Sequence, residues 1–340
     1  MLWLLTIILP FMVEASMVGG ESGAYLRYPT GAAALAMGGA SSAAPVALSP
    51  WWNPAVTGGQ KERKASLGFG FRSLGQTDGF ASLEFKVPPR VGMGIMVLYR
   101  GDPFLNDLYD ENENRLENAA FTSIGGKVAV SYIVNRRMSA GFAISILYEK
   151  LPSGYSDGEV FYTSATSIGS MDFASSFKWS DRLTTCLQVK DIGATMNWNF
   201  GSGYDYSTPH DDKVLPSIVI GSGYRGALLD RPLLWNADLR FFLFTGEWET
   251  LERPELTFAS GWEWQYWKSV FLRCGIGDLA LNSDIVSDNR RYRRDFTVRI
   301  AAGAAIDLSA VHRGLRLDYG FATDKVWAGM DQQINIALQF

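Results

Sequence analysis

The sequence has few of the residues that carry enzymatic and metal chemistry. Its 340 residues include two cysteines and two histidines. Cys186 and Cys274 are too few to build a disulfide framework or a zinc site. His210 falls in an expected loop and His312 at an expected turn, which argues against paired metal ligation. Because no nucleophile–base arrangement is visible either, we expect no catalytic residue, no metal site and no cofactor, and we do not expect an enzyme.

Charge and long apolar runs are also scarce. Charged residues make up 19% of the chain, against about a quarter in soluble domains. The net charge of −4 offers no basic surface for nucleic acid, which we exclude as a partner. No later stretch is apolar over the roughly 17–25 residues of a membrane helix. The chain instead has 13% aromatic residues and 35 glycines, a composition that favours a transmembrane β-barrel.

Polar and apolar residues alternate after residue 64. Leu67, Phe69 and Phe71 share one face of an expected strand, and Ser66 and Arg72 share the other. The alternation recurs to the C-terminus and gives about 14 strands, an even number as in bacterial outer-membrane barrels. We therefore predict an all-β fold, a transmembrane antiparallel barrel of about 14 strands whose wall is residues 65–340.

Short and long connections alternate along the predicted barrel. Long connections are expected at 105–119, 152–162, 193–213 and 279–293, with short turns between them. Outer-membrane barrels place short turns in the periplasm and long loops outside. The count from the first strand predicts a location in the bacterial outer membrane, with both termini in the periplasm. A soluble β-sandwich has no reason for this alternation.

Residues 1–15 are predicted to be a secretory signal peptide. An apolar core covers 2–13, and Val13, Glu14 and Ala15 offer a small-x-small cleavage site. No Lys or Arg precedes the core, so a start further upstream and a weak signal are both open. A short anchor helix is less favoured because the core is shorter than the roughly 17–25 residues needed to span a bilayer.

Residues 16–64 lack the alternation, carry little charge and are rich in small side chains. We predict that they form a plug in the barrel lumen. The Ala-rich stretch 31–37 can form a short helix, and Pro45, Pro50 and Pro54 oppose regular structure after it. The small residues either let the plug pack closely or make a direct functional contact, and both interpretations are open.

An ordered motif in this segment resembles the N-terminal signature of the PorV/PorQ-type outer-membrane proteins. Its residues are Arg27, Pro29, Gly38, Gly39, Asn53, Pro54 and Ala55. That family is associated with the type IX secretion system and belongs to a wider group of FadL-like barrels. The resemblance implies a barrel that docks secreted cargo, the translocon or surface-attachment partners through its outer loops and rim. The wider group implies the alternative, a channel for a hydrophobic or small solute.

Two further features concern partners and assembly. Arg290, Arg291, Arg293 and Arg294 cluster in an expected outer loop. Such a cluster can bind phosphate groups of outer-membrane lipid or an acidic partner, and the alternative is a solvated charged rim. The terminal Phe340 resembles the C-terminal assembly signal of outer-membrane proteins, and the alternative is simply a last lipid-facing residue.

Two short stretches match part of a ligand-binding motif, but their sequence context does not support binding. Residues 221–226 match the dinucleotide fingerprint GxGxxG, but no helix or βαβ unit surrounds them. Residues 110–114 open like a calcium loop, but Arg115 replaces the required glycine and Phe121 the closing glutamate. We interpret the first as a strand end and the second as a solvated loop, with a looser cation site as the alternative.

Overall fold

The structure is a computed structural model that describes most of the chain. Within the described ranges it contains 18 strands and two α-helices. The predicted signal peptide at 1–15 and the predicted loop at 105–119 lie outside these ranges. The described residues are 22–59, 62–102, 120–156, 159–200, 210–243, 256–281, 286–287, 290–291, 298–324 and 329–340.

Strands dominate the described chain from Lys64 onward. They are β1 (Lys64–Phe71), β2 (Thr77–Val87), β3 (Val91–Asp102), β4 (Phe121–Ile133), β5 (Met138–Ser156), β6 (Glu159–Lys178), β7 (Leu183–Ile192), β8 (Thr195–Phe200), β9 (His210–Lys213), β10 (Ser217–Leu228), β11 (Arg231–Phe242), β12 (Leu256–Gln265), β13 (Val270–Ala280), β14 (Val286–Ser287), β15 (Arg290–Arg291), β16 (Arg299–Asp307), β17 (Leu315–Thr323) and β18 (Met330–Gln339).

Fourteen of these strands close into one antiparallel barrel. The ring contains β1 to β7, β10 to β13 and β16 to β18. The first strand pairs with the last, from Lys64 opposite Gln339 to Phe71 opposite Gln332, and β5 pairs with β6 to complete the circle. A closed ring leaves no strand edge unpaired, which is what a sheet needs in order to span lipid. The predicted fold class and strand number are confirmed.

The outside of the barrel is apolar and the inside is polar. Leu67 is 64% exposed and its neighbour Ser66 is 2% exposed. On the adjacent strand, Ile336 is 52% exposed and Asn335 is 1% exposed. Successive side chains of a strand point to opposite faces, so the period-two pattern becomes two different surfaces. The continuous apolar exterior is the surface that lipid covers in a transmembrane barrel.

The two ends of the barrel differ in their connections. We call the end that carries the connections after β2, β4, β6, β10, β12 and β16 the short-turn end. The expected loop at 152–162 is wrong, because β5 and β6 continue through it and are separated by two residues. A register shift at Pro152 accommodates a residue that has no N–H for the ladder. The expected loop at 193–213 contains β8 and β9, which extend the sheet beside β6.

Helices are minor elements and belong to the N-terminal part. They are α1 (Ala32–Ala36) and α2 (Ser49–Trp52), and 3-10 turns cover Ala24–Arg27, Pro54–Gly59 and Ser73–Gly75. Among the residues that the structure describes, no helix is long and apolar enough to cross a membrane.

A lipid-facing charge tests the assignment of the exterior. We expect Leu67→Arg to lower the free energy of unfolding in phospholipid vesicles by about 2–4 kcal/mol, because the cation enters hydrocarbon. Leu229→Arg is the matched control, since Leu229 is exposed in the turn between β10 and β11, and there we expect about 0–1 kcal/mol. Denaturant titration of both variants measures the difference. Equal losses would contradict the membrane-facing exterior.

Candidate functional site

Residues 22–59, which we call the N-terminal segment, lie inside the ring of strands. The hydroxyl of Tyr25 donates to the carbonyl oxygen of Ile124 on β4 at 3.0 Å. The backbone N–H of Ala32 donates to Oδ1 of Asn335 on β18 at 3.1 Å. Met37 contacts β12 and β13 on the opposite side of the ring. A segment that touches strands on all sides of a closed barrel fills its interior.

Glycines on the wall let the backbone of the segment approach the backbone of the strands. A Cβ atom at Gly261 of β12 or Gly275 of β13 would overlap the backbone of Met37, and one at Gly277 would overlap Gly38. Gly38 itself has φ of 67°, a left-handed conformation that favours glycine. This glycine floor, formed by Gly261, Gly275 and Gly277, is where the segment and the wall come closest.

Polar side chains of the wall hold the buried backbone of the segment. One carboxylate oxygen of Asp238 on β11 accepts hydrogen bonds from the N–H groups of Ser41 and Ser42, at 2.9 and 3.0 Å. Lys190 on β7 donates from Nζ to the carbonyl oxygen of Trp51 at 3.1 Å. Buried backbone groups without partners are costly, so these side chains stabilise an irregular segment inside the barrel.

The seven motif residues fall into two groups. Arg27, Pro29, Gly38 and Gly39 line one cavity of about 30 Å³ together with Asp238 and Arg240. Asn53, Pro54 and Ala55 lie elsewhere. The side chain of Asn53 donates to the carbonyl oxygen of Ser42 at 2.7 Å and accepts from the N–H of Ala55 at 2.9 Å, and Pro54 and Ala55 pack on Gly141 of β5. These contacts are all within the chain, and a direct functional contact of the motif stays a prediction.

Three arginines of the wall lie around the ring of Tyr28, a residue beside the motif. The guanidinium groups of Arg72, Arg299 and Arg100 lie 3.2, 4.1 and 5.1 Å from the centre of the Tyr28 ring. The Tyr28 hydroxyl donates to a carboxylate oxygen of Asp331. Cations over an aromatic face are attracted by its electron density, so this cluster attaches the segment to four strands or strand ends. Sequence analysis did not find it, because the arginines are far apart in the chain.

The other side of the interior is apolar. Here the N-terminal segment packs on β3, β5, β6 and β8 in a cluster of apolar side chains. The buried residues of this apolar cluster are Tyr25, Ala34, Leu48, Trp51, Trp52, Met96, Leu98, Leu147, Ala165, Ala194, Met196, Trp198 and Val214. Charged side chains border this cluster, since the ammonium of Lys127 lies 4.6 Å from the centre of the Trp51 ring and Lys190 donates to the carbonyl oxygen of Trp51. The lumen therefore contains an apolar cluster with buried charges at its edge.

The wall is irregular beside this apolar cluster. The ladder between β6 and β7 shifts register between Met171 and Phe173. Just beyond, Asp191 and Gly193 have φ of 60° and 71°, and β8 replaces β7 beside β6. Asp172 accepts from the N–H of Asp191 at 3.0 Å and pairs with Lys127 at 2.6 Å. Buried side chains thus replace part of the backbone ladder at this break in the wall.

The remaining predicted site residues are dispersed. Arg290 and Arg291 form the two-residue strand β15, which pairs with β14, and Arg293 and Arg294 lie outside the described residues. Phe340 is 57% exposed, and its backbone exchanges two hydrogen bonds with Arg63, at 3.0 and 3.1 Å. Its role as an assembly signal stays a prediction.

Of the two motifs rejected on context, one lies in the described part of the chain. Residues 221–226 lie within strand β10, so the interpretation as strand is confirmed, and the turn expected at their end comes after Leu228. Among the described residues, no three His, Cys, Asp or Glu side chains are grouped to hold a metal ion. His312 lies exposed in a turn, and residues 110–114 are outside the described ranges.

Solved structures with the same architecture include toluene transporters and a FadL homologue. The toluene transporter TbuX of Ralstonia pickettii has a TM-score of 0.62 at 12% identity, covering 93% of this chain and 100% of that one. A FadL homologue of Pseudomonas aeruginosa has a TM-score of 0.58 at 13% identity, with 92% and 98% covered. The toluene transporter TodX of Pseudomonas putida has a TM-score of 0.57 at 12% identity, with 91% and 97% covered.

These similarities establish that the chain has the fold of the FadL-like barrels. At 12–13% identity they establish the fold alone. No family model matches the sequence, and no curated protein matches it. The similarity to the wider FadL-like group is confirmed at the level of the fold, and the narrower resemblance to PorV/PorQ-type proteins stays a prediction.

Filling the glycine floor tests how the segment is held. We expect Gly261→Val to displace Met37 and make the N-terminal segment sensitive to added protease, because its side chain would occupy the backbone of residue 37. Gly126→Val on β4 is the matched control, since a Cβ there meets its nearest atom at 4.0 Å. Limited proteolysis of the two folded barrels, followed by mass spectrometry, measures cleavage within residues 22–59. Protection of both variants would show that the contact with the floor does not hold the segment.

Proposed function

We propose that the protein lies in the bacterial outer membrane and passes a small hydrophobic solute through its lumen. Three observations support the proposal. The barrel has an apolar exterior suited to lipid. Its architecture is that of proteins described as toluene transporters and a monoaromatic hydrocarbon channel. Part of its interior is an apolar surface.

The observation that carries the proposal is the position of that apolar surface. Ala194 directly follows the left-handed Gly193 at the break in the wall, and Met196 belongs to β8. Leu98 and Leu147 continue the surface across β3 and β5. Sites for small ligands are mostly apolar with a few polar groups. A hydrophobic solute finds such a surface beside the break in the wall.

Passage requires the N-terminal segment to move. Trp51 and Trp52 fill the apolar side, with relative exposures of 2% and 3%. A cluster packed in this way leaves no room for a solute until the tryptophans shift. We propose that the segment opens this side of the lumen when solute enters.

The proposed orientation follows the connections. The short-turn end faces the periplasm and the opposite end faces outwards, as in other outer-membrane barrels. The start of the wall at Lys64 and the end of β18 at Gln339 then lie on the periplasmic side, since the two residues pair at the short-turn end. Ser22 lies near the opposite end, where its hydroxyl donates to Asp212 at 3.0 Å.

A reversible cross-link tests the channel. In Ala43→Cys/Gly223→Cys, the two Cβ atoms would lie 3.4 Å apart, near the roughly 3.5–4.5 Å of disulfides. Adding Ala44→Gly removes the methyl group that crowds position 223 at 2.9 Å, and Cys186 and Cys274 are replaced by alanine. We expect the oxidised barrel to take radiolabelled toluene into proteoliposomes at the rate of protein-free liposomes, and reduction to restore uptake.

The reduced form of the same protein is the control for folding. If the reduced and the unmodified barrels both fail to exceed protein-free liposomes, the channel proposal fails. If the oxidised barrel conducts as fast as the reduced one, solute passes without movement of the segment at Ala43.

A second candidate function is docking of secretion partners, as the PorV/PorQ resemblance implies. The specific observation in its favour is the filled interior, because a barrel that works through its loops and rim needs no open lumen. Secreted cargo or secretion-system components would then bind the connections at 105–119 and 193–213. Crosslinking in native outer membranes, with Cys or photoreactive residues in those connections, would recover such a partner. Recovery of lipid alone would argue against docking.

A further inference from the structure

A cavity of about 470 Å³ opens at the short-turn end, between the N-terminal segment and the wall. Small apolar residues of the segment form one side, including Ala43, Pro45 and Val56. The other side is formed by the connection from β4 to β5 and by the ends of β6, β7 and β10. Cavities of roughly 300–1,000 Å³ are the size that ligands use.

The charged residues that line this cavity all carry the same sign. Arg136, Arg137, Lys178 and Arg225 line it, and no Asp or Glu is among the described lining residues. The chain as a whole has a net charge of −4, so this local excess of cations is not a reflection of composition. A concave surface lined by one sign of charge concentrates ions of the opposite sign.

Most of these cations have no internal counterion. Lys178 pairs with Asp181 in the turn after β6, with Nζ 2.8 Å from Oδ1, and this contact lowers the pKa of the Asp181 carboxyl. Among the described residues, the guanidinium groups of Arg136, Arg137 and Arg225 form neither a hydrogen bond nor an ion pair within the chain. Three exposed guanidinium groups are therefore free to bind carboxylates, which they do through paired N–H donors.

The backbone that carries the arginines is fixed. Oδ1 of Asn135 accepts from the N–H groups of Arg137 and Met138, at 2.8 and 2.9 Å. The N–H of Lys178 donates to the carbonyl oxygen of Arg137 at 2.7 Å, and the N–H of Arg225 donates to that of Arg182 at 2.7 Å. The cations thus project from positions tied to the ends of the barrel strands.

We propose that this cavity binds an acidic peptide segment of a partner protein at the short-turn face. The cations come from separate connections of the barrel, a spread that suits a ligand with several carboxylates better than a single anion. The apolar side, with Ala43 and Val56, suits aliphatic side chains between those carboxylates. The cavity lies inside the wall, on the side away from the lipid-facing residues, so lipid headgroups are the less favoured occupants. Toluene uptake does not involve these side chains, and the two proposals stand or fall separately.

The test measures binding of a defined peptide to the full-length barrel in nanodiscs. The probe is a fluorescein-labelled peptide of alternating Glu and Ala, and its partner probe has Gln in place of every Glu. Fluorescence anisotropy should detect binding of the Glu peptide, weakened by added salt as expected for exposed charges. We expect Arg137→Gln/Arg225→Gln to weaken it about tenfold, with unchanged toluene uptake.

Other exposed cations at the same end serve as the control, one of which, Arg313, lies 3.7 Å from a carboxylate oxygen of Glu62. Lys268 and Arg313 are exposed in the turns after β12 and β16 and do not line the cavity. Lys268→Gln/Arg313→Gln should bind the Glu peptide as tightly as the unmodified barrel. The proposal is overturned if both double variants bind equally, if the Gln peptide binds as tightly as the Glu peptide, or if inorganic phosphate displaces the peptide stoichiometrically, which would indicate a small-anion site.

Discussion

The pairing of β1 with β18 is the constraint on which the rest of the structure depends. Eight residue pairs join the first strand to the last, and no wall strand is left with a free edge in lipid. Once the ring is closed, its inner face must be filled by the chain itself or by water. The N-terminal segment fills it, and side chains of the wall such as Asp238 and Asn335 supply the hydrogen bonds that an irregular backbone needs. The closed ring of strands, and the hydrogen bonds that hold the N-terminal segment inside it, both follow from the need to pair buried backbone groups.

Buried arginines on the inner face of the barrel lie next to buried carboxylates. Arg273 lies 2.6 Å from carboxylate oxygens of both Glu263 and Asp318, and Arg316 contacts the same two carboxylates. Burying a charge is costly, and close opposite charges with good geometry offset that cost. The network occupies β12, β13 and β17, on the side of the ring away from the apolar cluster. A second buried ion pair, Lys127 with Asp172 at 2.6 Å, lies beside the apolar cluster, so buried charges are paired on both sides of the ring.

The barrel could be predicted from sequence because its signal is local. Leu67, Phe69 and Phe71 define an outer face without reference to any other strand, and repetition of that pattern gave the strand number. Connections were harder to predict: length and Pro152 suggested a loop where β5 and β6 continue. The interior was hardest, since Gly38 could be singled out but its partners Gly261 and Gly275 are more than 200 residues away. A glycine at a lumen-facing strand position is the signal that could have found them.

The glycine floor has a mechanical consequence. Gly261, Gly275 and Gly277 have no side chains, so movement of Met37 and Gly38 across them would change no rotamer at these three positions. Resistance to motion comes instead from other contacts: the hydrogen bonds of Asp238 and Asn335, the arginines around Tyr28, and the packing of the segment in the apolar cluster. The segment is therefore held by a limited number of specific contacts and not by side chains of the glycine floor. The proposed opening of the lumen would break these contacts without any rearrangement of the glycine floor.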